Sequence, residues 1–144
     1  MIEEPVPYSV RLRPILTLGT FDLFHAGHDH LLWRASGFGE LIVGVNSDEF
    51  VKQYKGRYPV QQQLDRIDNV YKHPAVSDVF LNDGPGVDLI REQKPELLVI
   101  GSDWHDKYLP QISITAEELF TELQCGIVYL PRTVGVSSSE LRAA

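Results

Sequence analysis

The segment that decides the fold is "ILTLGTFDLFHAGHDHLL", from Ile15 to Leu32. The run Arg13 to Gly19 is β-branched and leucine-rich and ends in glycine, which predicts a buried strand. From Gly27 onward, apolar and small residues recur at helical spacing until "SGFG" ends the pattern. The segment therefore predicts a strand, a polar turn and a helix, with two histidines in the turn.

The rest of the chain repeats this alternation of strand and helix. A second buried strand is predicted at "ELIVGVN". Three more strands are predicted at "VSDVFL", "ELLVIG" and "GIVYL", and helical patterns separate the strands. In "TAEE", from Thr115 to Glu118, the spacing is that of a capping box at a helix start. This rhythm predicts an α/β fold: one Rossmann-like domain with a five-stranded parallel sheet in the order 3-2-1-4-5 and helices on both faces. We place the domain at residues 15–144, after an N-terminal extension over residues 1–14.

Composition narrows the classes of function. The chain has 144 residues, 43 % of them hydrophobic, with a formal net charge of −7. No apolar run approaches the roughly 20 residues of a membrane-spanning helix, and the N-terminal stretch lacks the pattern of a signal peptide. The single cysteine, Cys125, suits a reducing compartment. We expect a cytoplasmic protein that does not insert into a membrane. The negative net charge argues against a nucleic-acid partner but allows a small anionic substrate.

Three polar clusters directly follow predicted strands: "GTFDLFHAGH", "GSDWH" and "PRTVGVSSS". In parallel α/β sheets, ligands bind at the carboxyl ends of the strands, near the switch point in strand order. The three clusters should therefore meet at one edge of the sheet and form a site.

His25 and His28, three positions apart, admit three interpretations. They could be idle residues of a surface turn. They could bind a metal, but zinc requires three or four ligands and the nearby acids lack a ligand pattern, so we predict no protein metal site. They could bind phosphate, because a helix N-terminus favours anions, Gly27 permits close approach, and imidazole N–H groups donate hydrogen bonds to phosphate oxygens.

The motifs resemble those of a known family. "GTFDLFHAGH" matches the HxGH motif of the nucleotidyltransferase superfamily, and "GTFD" is similar to its cytidylyltransferase branch. "GSDW" resembles the G-x-D-W of that branch, and "LPRTVGVSSSELR" resembles its R-T-x-G-[IV]-S-[ST]-[ST] ending. The resemblance runs from Ile15 to Arg142 and is strongest to the bacterial enzymes whose acceptor is glycerol 3-phosphate.

This resemblance implies a reaction and its participants. A phosphate on a small alcohol, glycerol 3-phosphate by preference, would attack the α-phosphorus of CTP and displace pyrophosphate. The nucleophile is already an anion, so catalysis would rest on positioning and charge stabilisation, with Mg²⁺ bound to CTP. The resemblance also implies a homodimer.

The resemblance also implies the site residues. Those with a catalytic role would be His25, His28, Lys55 and Arg132. Those that bind the nucleotide would be Gly19, Thr20, Phe21, Asp22, Gly27, Arg66, Asp103, Trp104, Ser137, Ser138 and Ser139. Some have plainer alternatives: Asp22 as a turn residue, Trp104 as a core residue, and one of the serines as a helix N-cap.

Two further expectations concern single residues. We expect Lys55 to act from a mobile loop, since Gly56 follows it in "KGRYP". We expect His30 to point away from the phosphate.

The match has departures that keep alternatives open. The arginine that the family carries near Pro74 is missing, and His73 or Lys72 could replace it. The stretch between Trp104 and Gly126 is longer than in the bacterial enzymes. "VNSDEFVKQYKGRYPV" also resembles adenylyltransferase domains that activate heptose phosphate. The alternative functions are therefore adenylyl transfer from ATP to a sugar phosphate and nucleotide binding by a regulator without turnover.

Overall fold

The computed structural model of the protein describes residues 13–101 and 113–131. Its strands in these ranges are β1 (Ile15–Gly19), β2 (Leu41–Asn46), β3 (Asp78–Asn82), β4 (Leu97–Gly101) and β5 (Gly126–Leu130). Its helices are α1 (Ala26–Ser36), α2 (Asp48–Lys55), α3 (Gln63–Tyr71), α4 (Val87–Gln93) and α5 (Ala116–Leu123). None of the helices in the described part of the chain is long and apolar enough to cross a membrane.

The five strands form one parallel sheet in the order β3-β2-β1-β4-β5, which confirms the predicted topology. β1 pairs with β2 along its whole length, from Ile15 to Gly19. Its pairing with β4 covers only two residue pairs, Ile15 with Leu97 and Leu16 with Leu98. β1 and β4 are therefore hydrogen-bonded only near their start. The strand order switches between them, and in such sheets ligands bind at the carboxyl edge of the switch point.

Hydrophobic residues pack on both faces of the sheet. Strand residues such as Leu16 and Leu98 form one core with Leu89 of α4 and Leu119 of α5. Their strand neighbours belong to a second core on the opposite face, which includes Leu32 of α1 and Val70 of α3. Helices therefore cover both faces, as the unbroken apolar strands predict.

The start of the domain is fixed at the amino edge of the sheet. Arg13 donates hydrogen bonds to the carbonyl oxygens of Lys94, Pro95 and Leu123. The N–H of Glu96 donates to the carbonyl oxygen of Pro14. These contacts tie the residues before β1 to β4 and to the end of α5.

Helix boundaries follow local capping signals. The capping box expected in "TAEE" is present at the start of α5, where Thr115 and Glu118 exchange hydrogen bonds. α2 is a helix of eight residues with a capping residue at each end. Ser47 caps its first turn by accepting the N–H of Phe50, and Gly56 closes it in a left-handed conformation with φ 79°. Lys55 is thus the last residue of a helix, so its expected place in a loop is wrong, while its mobility stays a prediction.

Candidate active site

Residues 20–25, here named the histidine turn, connect β1 to α1 at the carboxyl edge of the sheet. Phe21 and Leu23 both lie in the left-handed region, with φ values of 55° and 51°. Left-handed backbone is costly for residues with a large side chain, and it persists only where the surroundings enforce it. The histidine turn is therefore a strained connection that needs support from elsewhere in the fold.

The support comes from the segment before α3. Both carboxylate oxygens of Asp22 accept backbone N–H groups, from Val60 at 2.8 Å and from Gln61 at 2.9 Å. In return, the side-chain oxygen of Gln61 accepts the N–H of Leu23 at 2.9 Å. Asp22 is 3 % exposed. These contacts fasten the histidine turn to the loop before α3, which agrees with the interpretation of Asp22 as a turn residue. The contact of Asp22 with a nucleotide stays a prediction.

His25 and His28 cap the helix that follows. His25 is the N-cap of α1, and its Nδ1 accepts the N–H of Gly27 at 3.0 Å. The N–H of His25 in turn donates to Nδ1 of His28 at 3.2 Å. In a neutral imidazole only one nitrogen carries a proton. Because Nδ1 accepts in both rings, their neutral forms carry the proton on Nε2.

The two imidazole rings stack with their centroids 3.7 Å apart and an interplanar angle of 19°. In its neutral form each ring has Nε2–H as its hydrogen-bond donor. The N–H of Gly27 already donates to His25, so the rings rather than this amide are the donors best suited to an anion. The contact of Gly27 with a nucleotide stays a prediction.

The environment of His28 keeps its ring neutral. Burial, followed by the neighbouring His25, lowers the pKa of His28 from 6.5 to about 3. The rings of Phe21 and Phe24 lie against it, each with a centroid distance of 5.3 Å. Gly19 makes room for this packing, since a Cβ there would come within 2.9 Å of the ring of Phe21. Phe21 and Gly19 therefore support the position of His28.

Thr20 belongs to a buried polar network at the ends of three strands. Its Oγ1 lies 3.1 Å from the hydroxyl of Tyr54 and 3.4 Å from Nδ2 of Asn46. Asn46 ends β2, Asn82 ends β3, and Nδ2 of Asn82 donates to Oδ1 of Asn46 at 3.0 Å. Tyr54, Asn46 and Asn82 were not identified from the sequence, although both asparagines follow apolar strand residues at the expected edge.

Arg66 is fully buried, and its guanidinium contacts the protein. It donates to the carbonyl oxygens of Gln61, Thr20 and Asn46 at 2.7–3.0 Å. It also pairs with Asp48 at 2.6 Å. Four of its N–H donors thus hold together the strand ends around the histidine turn. This role is structural, whereas the family resemblance implies nucleotide binding. Its contact with a nucleotide stays a prediction.

Basic side chains lie on α2 and the loop after it. Lys52, Lys55 and Arg57 are exposed. The ammonium of Lys55 lies 5.8 Å from the ring centroid of Tyr54, and that of Lys52 lies 5.5 Å from the ring centroid of Tyr58. On a protein of net charge −7, this forms a local positive region beside the histidine turn.

The residues considered as replacements for the missing arginine have other partners. His73 is buried, and its Nε2 lies 2.7 Å from Oδ1 of Asp29 on α1. Its Nδ1 accepts the N–H of Ala75, so the ring donates to Asp29 from Nε2. Lys72 pairs with Asp68 on the surface, and this contact raises the pKa of Lys72. His30 is exposed on α1.

Several predicted site residues lie outside the described residues: Asp103, Trp104, Arg132, Ser137, Ser138 and Ser139. Gly101 and Leu130, which end β4 and β5, precede them in the sequence. In the described ranges 13–101 and 113–131, no group of three or more His, Cys, Asp or Glu side chains is arranged to hold a metal ion.

Comparison with solved structures supports the fold. A lipopolysaccharide core biosynthesis protein from Thermoplasma volcanium matches with a TM-score of 0.64 and 22 % identity, over 83 % of this chain and 95 % of that one. Pantothenate synthetase from Thermus thermophilus matches with a TM-score of 0.57 and 14 % identity, over 96 % and 68 %. At these identities the likeness shows the fold alone, a Rossmann-like α/β fold.

Sequence comparison then gives the family. The family described as cytidylyltransferase-like matches residues 16–144. Glycerol-3-phosphate cytidylyltransferase of Bacillus spizizenii is 34 % identical over 139 residues, which cover 91 % of this chain and 95 % of the relative. FAD synthase of Korarchaeum cryptofilum is 32 % identical over 133 residues, covering 90 % and 88 %. The chain belongs to the cytidylyltransferase-like family, which confirms the resemblance seen in its motifs.

Proposed function

We propose that the protein transfers CMP from CTP to the phosphate of a small alcohol, with glycerol 3-phosphate as the favoured acceptor, and releases pyrophosphate. The observation that carries the proposal is the stacked pair of imidazoles at the start of α1, both with Nδ1 accepting. The Nε2–H groups of the two rings can donate to phosphate oxygens, and these hydrogen bonds strengthen as charge develops during transfer.

The other parts of the site have consistent roles in this reaction. Lys55, at the end of α2, supplies a positive charge for the triphosphate. Arg66 and Asp22 hold the turn and its neighbouring loop in place through their buried contacts. Arg132 and the serines of "SSS" would contribute further phosphate contacts, and Asp103 and Trp104 would contact the nucleoside. These last roles rest on the resemblance of their motifs.

Mg²⁺ enters the proposal as an ion carried by the nucleotide. The two oxygens of Asp22, the carboxylate in the histidine turn, accept N–H groups at 2.8 and 2.9 Å. They are therefore poorly suited to replace water on a metal. Bound Mg²⁺ would neutralise part of the triphosphate charge, while the protein orients the phosphates.

The choice of CTP is supported by relatives named glycerol-3-phosphate cytidylyltransferase in three bacteria, at 28–34 % identity. A second candidate is adenylyl transfer from ATP. It is favoured by the relatives named FAD synthase, since FAD contains an adenylyl group, and by the resemblance to domains that activate heptose phosphate.

Pyrophosphate release separates these candidates. The protein is incubated with Mg²⁺, each of CTP, ATP, UTP and GTP in turn, and glycerol 3-phosphate, FMN or a heptose phosphate, and products are identified by mass spectrometry. We expect CDP-glycerol and pyrophosphate from CTP and glycerol 3-phosphate. A preference for ATP would refute the choice of base, and an inert glycerol 3-phosphate with CTP still consumed by another acceptor would refute the acceptor alone.

The homodimer belongs to the same proposal and rests on the resemblance. Light scattering at working concentration should give twice the mass of the 144-residue chain. A monomer mass under the conditions of full activity would contradict it.

A further inference from the structure

Tyr54 contacts Thr20, which the family resemblance implies as a nucleotide-binding residue, and Lys55, to which the proposed function gives a role. No motif points to Tyr54. It lies on α2, half-buried, between the strand ends and the exposed basic side chains. Its hydroxyl lies within hydrogen-bonding distance of Thr20 and Asn46, and the ammonium of Lys55 lies 5.8 Å from the centroid of its ring. One side chain therefore links the histidine turn to the basic end of α2.

The hydrogen bonds around its hydroxyl have a direction. Asn82 donates to Oδ1 of Asn46, so the amide nitrogen of Asn46 faces the other way and donates to the Tyr54 oxygen at 3.1 Å. The Tyr54 oxygen then accepts, and its own proton can be donated to Oγ1 of Thr20 at 3.1 Å. The amide of Asn46 also approaches Thr20, at 3.4 Å. Either hydroxyl of the Tyr54–Thr20 pair can donate in this contact, and when Tyr54 donates, the hydroxyl proton of Thr20 is left for a group outside this network.

The ring of Tyr54 acts on the second group. Lys55 is a flexible side chain at a helix end, and the face of an aromatic ring attracts an ammonium within about 6 Å. Phe50 packs against Tyr54 with a centroid distance of 5.0 Å, so the ring itself is held in place. The side chain of Lys55 therefore extends from the end of α2 across the ring of Tyr54, whose hydroxyl contacts Thr20.

We propose that Tyr54 is a positioning residue that directs the hydroxyl proton of Thr20 and the ammonium of Lys55 toward the same bound triphosphate. The inference rests on the proposed nucleotidyl transfer for its ligand. The hydroxyl and the ring make separate contributions, which two substitutions can separate: Tyr54→Phe removes only the hydroxyl, and Tyr54→Leu removes the ring as well.

Steady-state kinetics of these variants test the proposal, together with their melting temperatures. Tyr58→Leu is the matched control, because it also removes a tyrosine ring beneath a lysine of the same helix, Lys52 at 5.5 Å. We expect Tyr54→Phe to raise KM for the nucleotide about fivefold, the effect of one hydrogen bond, with little change in kcat. We expect Tyr54→Leu to lower kcat by a further factor of about three, as Lys55 loses the ring.

A double-mutant cycle with Thr20→Val isolates the hydroxyl. If Tyr54 acts through Thr20, Tyr54→Phe should add little to Thr20→Val. Full additivity, kinetics of Tyr54→Phe equal to those of the wild type, or equal effects of Tyr54→Leu and Tyr58→Leu would each overturn the proposal.

Calorimetry with inorganic triphosphate separates this inference from the proposed function. If the wild type turns over no nucleotide but binds inorganic triphosphate more tightly than Tyr54→Phe does, the assigned reaction is wrong and the positioning role stands. If the wild type is active and both proteins bind triphosphate equally, only the positioning role falls.

Discussion

At the scale of single residues, the main finding is that the two histidines of the HxGH motif fix each other. Each uses Nδ1 to accept a backbone N–H at the start of α1, and each therefore presents Nε2–H in its neutral form. The sequence predicts donors to phosphate at this point. It does not predict which nitrogen carries the proton, because that depends on a capping geometry formed by the folded turn.

His28→Ala should remove one of these donors and lower kcat by about 10²-fold or more, while the protein stays folded. Pyrophosphate release and circular dichroism measure the two properties. His30→Ala is the matched control, since it removes an exposed imidazole from the same helix and should change the rate little. Full activity of His28→Ala would mean that the turn does not stabilise the developing charge.

Acid should destabilise the protein through His28. Its pKa is about 3 in the folded protein against 6.5 for an ordinary histidine. Between these values the unfolded chain takes up a proton that the folded ring refuses, so stability falls as the pH drops from 6.5, by at most about 1.4 kcal/mol per pH unit. Above pH 6.5 this group contributes no pH dependence.

Urea denaturation of His28→Gln across pH 4–7.5 checks this expectation. The free energy of unfolding should depend less on pH in the variant than in the wild type below pH 6.5. His30→Gln controls for the loss of an imidazole. Parallel pH profiles of the wild type and His28→Gln would contradict a neutral, half-buried His28.

At the scale of elements, α2 shows what local sequence can reveal and what it cannot. Ser47 and Gly56 are ordinary capping residues, and their positions in the sequence indicate a helix that ends at Lys55. The burial of Arg66 is different. Its acceptors include carbonyl oxygens of Thr20 and Asn46, far away in the sequence, so spacing alone cannot separate it from the exposed basic residues nearby.

The fastening of the histidine turn to the loop before α3 can be tested at Asp22. Asp22→Asn leaves one acceptor oxygen for two N–H groups, and the new amide N–H₂ would face the other donor. We expect a loss of about 1–3 kcal/mol in the free energy of unfolding and faster amide exchange at Val60 and Gln61. Asp68→Asn, which breaks an exposed pair with Lys72, should change the free energy of unfolding little. Unchanged exchange at both amides would refute the fastening role.

At the scale of the whole molecule, the sheet order and the covering of both faces were predictable from the sequence. Apolar strands separated by helices leave few arrangements when crossovers are right-handed. The contacts between polar residues at the carboxyl edge were less predictable. Tyr54, Asn46 and Asn82 meet only because α2, β2 and β3 are brought together by the sheet.

Close packing within the sheet gives a prediction at this scale. A Cβ at Gly44 in β2 would come within 2.6 Å of side-chain carbons of both Leu18 and Leu89, which belong to β1 and α4. Gly44→Ala should therefore lower the free energy of unfolding by about 1–3 kcal/mol through overpacking. Gly84→Ala is the control, since its Cβ would meet nothing within 4 Å. Equal urea midpoints for the two variants would contradict the close approach of α4 to the sheet.

The left-handed residues of the histidine turn, Phe21 and Leu23, have a consequence for how the protein acquires its activity. Their conformation depends on Val60 and Gln61, which are made some forty positions later in the chain. A peptide that contains only β1, the turn and α1 has no means of holding that shape. We therefore expect the turn to take this shape only after β2, α2 and the loop that follows have docked against it.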